Sequence, residues 1–201
     1  MKTGITGGIG SGKSFVCKLL AKRGIQVYDC DTAAKRLMRQ SPEIRRQLTE
    51  LIGPDTYTKE LDGQGQEVWS LNKAAVAQYL LASETNAKAI DEIVHPAVFS
   101  DFEQSGMQWM ESAIMFESGI NRLVDCVVVV TAPEEVRIER VMQRDGISQE
   151  KAKEWIAHQW PQEKVRQLSD FEIINDGCAD LEQQINDLLL VLSQRNSIIT
   201  K

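Results

Sequence analysis

Long apolar runs are missing from this 201-residue chain. The longest, residues 126–130 and 188–192, fall far short of the ~20 residues a membrane span needs. Basic charge is also scarce. The 23 Lys and Arg against 29 Asp and Glu leave a net charge of −6, so the broad basic face that carries most affinity for a nucleic-acid backbone is not expected. A local basic cleft remains compatible with that count. Four cysteines, Cys17, Cys30, Cys126 and Cys178, lie far apart with no C-x-x-C pair. With no secretory signal, this excludes a disulfide or zinc framework and implies reduced, buried thiols in a soluble, cytoplasmic protein. Two histidines are too few to build a Ser–His–Asp case, and no Cys/His cluster has metal-ligand spacing. Internal repeats and low-complexity segments are absent as well.

What is present is ordinary globular usage, 42% apolar and 26% charged residues, enough for one sizeable core. Short β-prone runs at residues 3–6, 25–28, 113–116, 126–131 and 171–174 alternate with helical patterns at 15–21, 133–143, 148–158 and 181–192. Several of the runs are apolar on both faces. That pattern predicts an α/β domain with a mostly parallel five-stranded sheet flanked by helices. Between about residues 32 and 105 no strand is convincing. Helical spacing recurs at 33–40, 42–52, 72–81 and 87–102, broken by Pro42, Pro54 and Pro96. Residues 53–66, with Gly53, Gly63, Gly65 and Pro54, read as a loop or small hairpin. The stretch is a helical insertion into the sheet.

One motif carries chemistry. Gly7-Gly8-Ile9-Gly10-Ser11-Gly12-Lys13-Ser14 satisfies G-x-x-x-x-G-K-[ST] at every required position, after a strand and at the opening of a helix. Glycines let the backbone wrap tightly and turn N–H groups toward phosphate oxygens. The helix beginning near Gly12 adds its positive dipole end. Lys13 would reach the β- and γ-phosphates of a nucleotide, and the Ser14 hydroxyl would hold Mg²⁺. Two absences narrow the reaction. No N/T-K-x-D guanine reader exists, because Asn72-Lys73 is followed by Ala74-Ala75. No hydrophobic strand ends in the Asp of a motor ATPase: residues 127–130 lead into Thr131, and 113–116 lead into Glu117. A small-molecule kinase fits best.

These residues, together with Tyr28-Asp29-Cys30-Asp31, His95-Pro96, Ile114-Met115-Phe116-Glu117, Arg140-Val141-Met142-Gln143-Arg144-Asp145 and Ile173-Ile174-Asn175-Asp176-Gly177, resemble the dephospho-CoA kinase family in order and spacing. Phe15 stands where that family usually has Thr, and Ala113 where it has Pro. Phe15 still offers its backbone N–H to phosphate, and Ala113 would alter strand stiffness.

The resemblance implies ATP-dependent phosphorylation of the ribose 3′-hydroxyl of dephospho-CoA, the last step of coenzyme A biosynthesis. The implied P-loop kinase fold has a core of about residues 1–30, 105–136 and 163–201, a helical CoA-binding insertion at about 31–104 and a helical lid at about 137–162. ATP and dephospho-CoA would be the partners, with Mg²⁺ arriving on the nucleotide and no obligate protein partner. Gly8, Gly10, Ser11, Gly12, Lys13, Ser14 and Phe15 would bind ATP. Asp31 would accept the 3′-hydroxyl proton, a role compatible with capping the next helix. Asp29 would shape its turn or meet Mg²⁺ through water. Arg140 and Arg144, four apart on one helical face, would neutralise the transferring phosphoryl group or stack on adenine, unless they form a solvated face with Glu139 and Asp145. His95 would contact dephospho-CoA or bond local backbone, and Glu117 would orient substrate or magnesium water. Two rival functions stay open: a kinase for a nucleoside monophosphate or other metabolite, and a nucleotide-dependent switch.

Overall fold

The computed structural model describes residues 1–61 and 63–199. Residues 62, 200 and 201, which fall within the expected loop and core ranges, lie outside the described residues. The strands are β1 (Thr3–Thr6), β2 (Val27–Asp29), β3 (Tyr57–Leu61), β4 (Glu67–Leu71), β5 (Trp109–Glu111), β6 (Cys126–Thr131) and β7 (Phe171–Ile174). The helices are α1 (Lys13–Lys22), α2 (Cys30–Gln40), α3 (Pro42–Ile52), α4 (Lys73–Ala82), α5 (Glu84–Ser105), α6 (Glu134–Asp145), α7 (Gln149–Ala157), α8 (Gln162–Leu168) and α9 (Leu181–Ile199). The chain divides into two compact units, one formed by Met1–Asp29 with Met107–Lys201 and the other by Cys30–Gly106.

The first unit holds the five-stranded parallel sheet in the order β2-β5-β1-β6-β7. All six residues of β6 are buried, as a parallel strand covered on both faces requires. Ile5, Val128, Val130 and Ile173 from the strands pack with Val16, Leu19 and Leu20 of α1 and Ile185, Leu188 and Leu192 of α9. Each such side chain, fully buried, stabilises the fold by about 1.5–3 kcal/mol before entropy is counted. Because every strand runs the same way, the loops after β1, β2, β5, β6 and β7 share one sheet edge, where open α/β sheets collect their ligands.

One expected strand is displaced. Residues 113–116 form no strand; residues 113–119 are a turn, and the strand between β2 and β1 is Trp109–Glu111. The apolar run is explained by burial from below: Met115 is 0% exposed, and its Sδ fills the space a side chain at Gly4 would need. Ala113 therefore has no strand to stiffen, and Glu117 is an exposed turn residue rather than a strand end.

In the second unit, side-chain caps set the helix starts. Ser41 accepts from the Ile44 N–H ahead of Pro42 at the first helical position, and Asn72 and Ser83 cap α4 and α5 in the same way. Residues 57–71 resolve the loop-or-hairpin choice: β3 and β4 pair antiparallel, with Tyr57 opposite Leu71 and Leu61 opposite Glu67. The expected break at Pro96 does not occur. Proline removes one helical N–H and costs about 3 kcal/mol, yet α5 runs through it while burying Ile90, Val94, Val98, Phe99 and Phe102. Burial of that stripe outweighs the missing bond.

Candidate active site

Residues 7–14 turn from the end of β1 into α1. Gly7, Gly10 and Gly12 have φ of 149°, 80° and 91°, values that side chains resist. Space is refused as well: a Cβ on Gly10 would sit 2.5 Å from the Arg137 carbonyl oxygen, and one on Gly12 would strike Asn175 Nδ2. Among the described residues no protein acceptor takes the N–H groups of Gly10, Gly12, Lys13 or Ser14. Ser11 is fully buried, and its Oγ has no hydrogen-bond partner among the described residues. Unmet donors in a glycine loop at a helix N-terminus form an anion nest, and phosphate oxygens are groups that would satisfy it. Phe15 differs from the rest, because its N–H already donates to the Gly12 carbonyl at 2.9 Å and its ring is exposed.

Lys13 is held back from solvent. Its Nζ lies 3.0 Å from Glu111 Oε1, with the two side chains only 12% and 15% exposed. The other Glu111 oxygen accepts from Cys17 Sγ at 3.3 Å. Burial, reinforced by the Glu111 charge, pushes the Cys17 thiol far above its ordinary range, so it serves as a protonated donor. Glu111 was not legible as a site residue because the strand it terminates was misplaced by several positions. A signal exists: the carboxylate directly after Trp109-Met110 is the acidic strand end, which the reading of the strand at 113–116 places instead at Glu117. Asp29 and Glu111 stand opposite each other in the β2–β5 register, and Ile5 is the neighbour of Glu111 on β1.

From α6, Arg137 and Arg140 reach the outer side of the loop. Arg137 is 5% exposed; its Nε donates to the Ile9 carbonyl at 2.9 Å, and no carboxylate pairs with it among the described residues. Burial lowers its pKa, partly offset by Glu134. Gln159 Oε1 accepts from the Ile9 N–H at 2.7 Å. Arg140 Nη1 donates to the carbonyls of Asn175, Gly10 and Ser11 at 3.0, 3.3 and 3.4 Å. Arg144, four residues on, is exposed and forks onto Asp145. Arg137 and Gln159 carry no spacing signal of their own, and Asn175 stands in the motif at 173–177 without a role attached; only packing shows that all three back the loop.

The remaining expected residues are more open. Asp31 sits inside the first turn of α2, which begins at Cys30, so it does not cap that helix from outside. Its carboxylate pairs with Lys35 at 2.5 Å, with exposures of 77% and 63%. His95 lies within α5, stacked on Phe99 at 6.1 Å between centroids and 3.4 Å from Asp91 Oδ1.

For a divalent ion, the first unit offers the exposed Ser14 hydroxyl and the carboxylates of Asp29 and Glu111. No group of three or more His, Cys, Asp or Glu that could cage a metal occurs among the described residues. Few protein oxygens, with the rest of the shell left to water and phosphate, is the donor set that suits Mg²⁺. Among the described residues no helix is long and apolar enough to cross a membrane.

The sequence profile described as dephospho-CoA kinase matches residues 1–180. The chain belongs to the dephospho-CoA kinase family. A dephospho-CoA kinase of Bacteroides fragilis is 40% identical, with 97% of this chain and 94% of the relative covered. One from Chlorobaculum tepidum is 34% identical, with 94% and 95% covered. Among solved structures, TT1252 from Thermus thermophilus matches with a TM-score of 0.76 and 29% identity, covering 96% of this chain and 97% of the other. Dephospho-CoA kinase from Campylobacter jejuni matches with a TM-score of 0.64 at 20% identity over 98% and 100% of the two chains, and so shares the fold. Membership of this family supports the first reading of the sequence and neither the monophosphate-kinase nor the switch alternative.

Proposed function

We propose that this protein transfers the γ-phosphoryl group of ATP to the ribose 3′-hydroxyl of dephospho-CoA, giving CoA and ADP and completing coenzyme A biosynthesis in the cytoplasm. The observation that carries the reading is the loop of unmet N–H groups beside a sequestered Lys13, in a chain of this family. Gly8, Gly10, Gly12 and Ser14 bind the phosphates through the nest, and Ser11, whose N–H already donates to the Gly8 carbonyl at 3.0 Å, offers its unpartnered Oγ. Lys13 exchanges its Glu111 partner for the β- and γ-phosphates, where its charge offsets what builds up during transfer. The cost of that exchange is small because one carboxylate–ammonium contact is replaced by a stronger one to phosphate. Ser14 and the released Glu111 carboxylate, the latter through water, would hold Mg²⁺. When bound, the ion supplies positive charge that neutralises the phosphate oxygens.

Asp31 orients the 3′-hydroxyl and takes its proton as the oxygen bonds to phosphorus and the β-phosphate oxygen leaves. Phosphoryl transfer asks mostly for positioning, so holding the hydroxyl in line carries most of its effect. Residues of the 31–104 insertion, His95 included, bind the CoA moiety, and Glu117 helps place the acceptor. Residues 137–162 act as the lid, seated on the loop through Arg137, Arg140 and Gln159. Arg140 lends its charge from behind the loop, while Arg144, held by its neighbour Asp145, can turn to the phosphates. Exclusion of water by such a lid protects ATP from hydrolysis.

The test is ADP release from Mg·ATP with dephospho-CoA, AMP or no acceptor in parallel. ADP formed only with dephospho-CoA, with CoA as product, is the expected result; equal ADP in all three would overturn the reading.

A further inference from the structure

Asn175 had no role in the reaction as read above, yet the structure uses every polar atom of its side chain. It follows β7, is 8% exposed, and its N–H donates to the Thr131 carbonyl at the end of β6 at 2.8 Å. Its Nδ2 donates to the Ser11 carbonyl at 2.8 Å. Its Oδ1 accepts from Arg140 Nη2 at 3.3 Å, while Arg140 Nη1 holds the Asn175 carbonyl at 3.0 Å and also reaches the Ser11 carbonyl. Donor and acceptor ends of the amide are thus both matched, which assigns its orientation.

The Ser11 carbonyl shares a planar trans peptide with the Gly12 N–H, so the two point in opposite directions. Pinning the carbonyl on the outer side of the loop aims the Gly12 N–H into the nest, where no protein acceptor meets it. Gly12, at φ 91°, is the residue about which this peptide turns most cheaply, since glycine tolerates both signs of φ. A reversed peptide would present a carbonyl oxygen to phosphate, and like partial charges repel. The absence of a side chain at residue 12 serves the same contact, because Asn175 Nδ2 occupies that space.

We propose that Asn175 is a positioning residue for the nucleotide's phosphates, acting through the Ser11–Gly12 peptide with Arg140 as its brace. This rests on the reading of residues 7–14 as the phosphate site. The role is specific to phosphate and independent of the base and of the acceptor. An amide-to-carbonyl bond that holds one phosphate donor in place corresponds to about tenfold in affinity.

The experiment compares competition by tripolyphosphate, which has no base, with that by adenosine, which has no phosphate, alongside binding of ATP and dephospho-CoA. Asn175→Ala is expected to weaken ATP and tripolyphosphate alike, by about tenfold, and to leave adenosine and dephospho-CoA unchanged. Equal weakening of adenosine and ATP, or unchanged tripolyphosphate, would overturn the proposal. Lys13→Ala is the reference: if it leaves tripolyphosphate binding intact, the phosphate-site reading itself fails. If Lys13→Ala abolishes that binding while Asn175→Ala does not alter it, only the role of Asn175 fails. Should a melting curve show Asn175→Ala unfolded, Asn175→Ser, which keeps a donor on a shorter arm, carries the same comparison with a smaller expected shift. In a double-mutant cycle with Arg140→Ala, the losses should fall short of multiplying, since both residues hold the Ser11 carbonyl; fully multiplicative losses would count against a shared bracket.

Discussion

The candidate site residues of the two units are held in opposite ways, although each unit also carries ion pairs of the other kind, such as Arg36–Asp101 between two helices of the second unit and Arg166–Glu163 within one helix of the first. Around the phosphate loop, Lys13, Glu111 and Arg137 are 15% exposed or less and are gripped by partners from distant strands and helices. In the Cys30–Gly106 unit, Asp31 is 77% exposed and pairs with Lys35, one turn along the same helix; His95 likewise meets Asp91 and Phe99 of its own helix. Groups that meet an invariant ligand, a phosphate chain, gain from preorganisation in a water-poor setting, where each contact is stronger and needs no rearrangement. An exposed local pair such as Asp31–Lys35 is worth only tenths of a kcal/mol, so a substrate of the kind we propose can displace it.

The largest expected effect comes from the rigid side. Lys13→Ala should lower kcat/KM by at least about 10³-fold, the loss of one preorganised charge at the transferring group, measured as CoA formation; a retained rate would break the comparison at its strongest point. Asp31→Asn should lower kcat by about 10²–10⁴-fold while both substrates still bind, and calorimetric titration of each would show it. A near-wild-type rate would leave Asp31 a surface residue. Next, Gly12→Ala should destabilise the fold by about 1–3 kcal/mol through its left-handed backbone and the collision with Asn175, read from denaturant midpoints. On the open side, Lys35→Ala should change stability by less than about 1 kcal/mol; a larger change would show that this pair is not locally held.

The smallest effect is a pH dependence. Burial raises the thiol of Cys17, and that of Cys126 to about 12. Below the ordinary thiol pKa both folded and unfolded chains keep the proton, and this contribution to stability is complete. Above about pH 8.5 the unfolded chain ionises first and stability falls as pH rises. Cys17→Ala should flatten that alkaline slope. Cys178 is exposed rather than buried, because it lies in the bend between β7 and α9 instead of in the core, so iodoacetamide at pH 8 should reach it well before Cys17 or Cys126.

The short strand at residues 109–111 shows why part of the candidate site was hidden. Three residues give too little alternation to read, and the neighbouring apolar run at 113–116 imitates a strand because Met115 must be buried. The Pro96 break failed for a related reason: a local rule met a five-residue buried stripe and lost. The helix from Pro42 to Ile52 was legible to the residue, since Ser41, Pro42 and Gly53 mark its ends chemically.

By itself the amino-acid sequence determined the parallel α/β sheet, the phosphate loop at residues 7–14 and, through its motifs, the family, because each is encoded in residues adjacent along the chain. Tertiary structure alone decided that Glu111, itself bonded by the Cys17 thiol, holds Lys13, and that Arg137, Arg140, Gln159 and Asn175 back the loop. Those contacts join residues as many as 164 positions apart. The loop-side partners of Arg137, Arg140, Gln159 and Asn175 are backbone carbonyls and amides, which every residue carries and no side-chain pattern reveals.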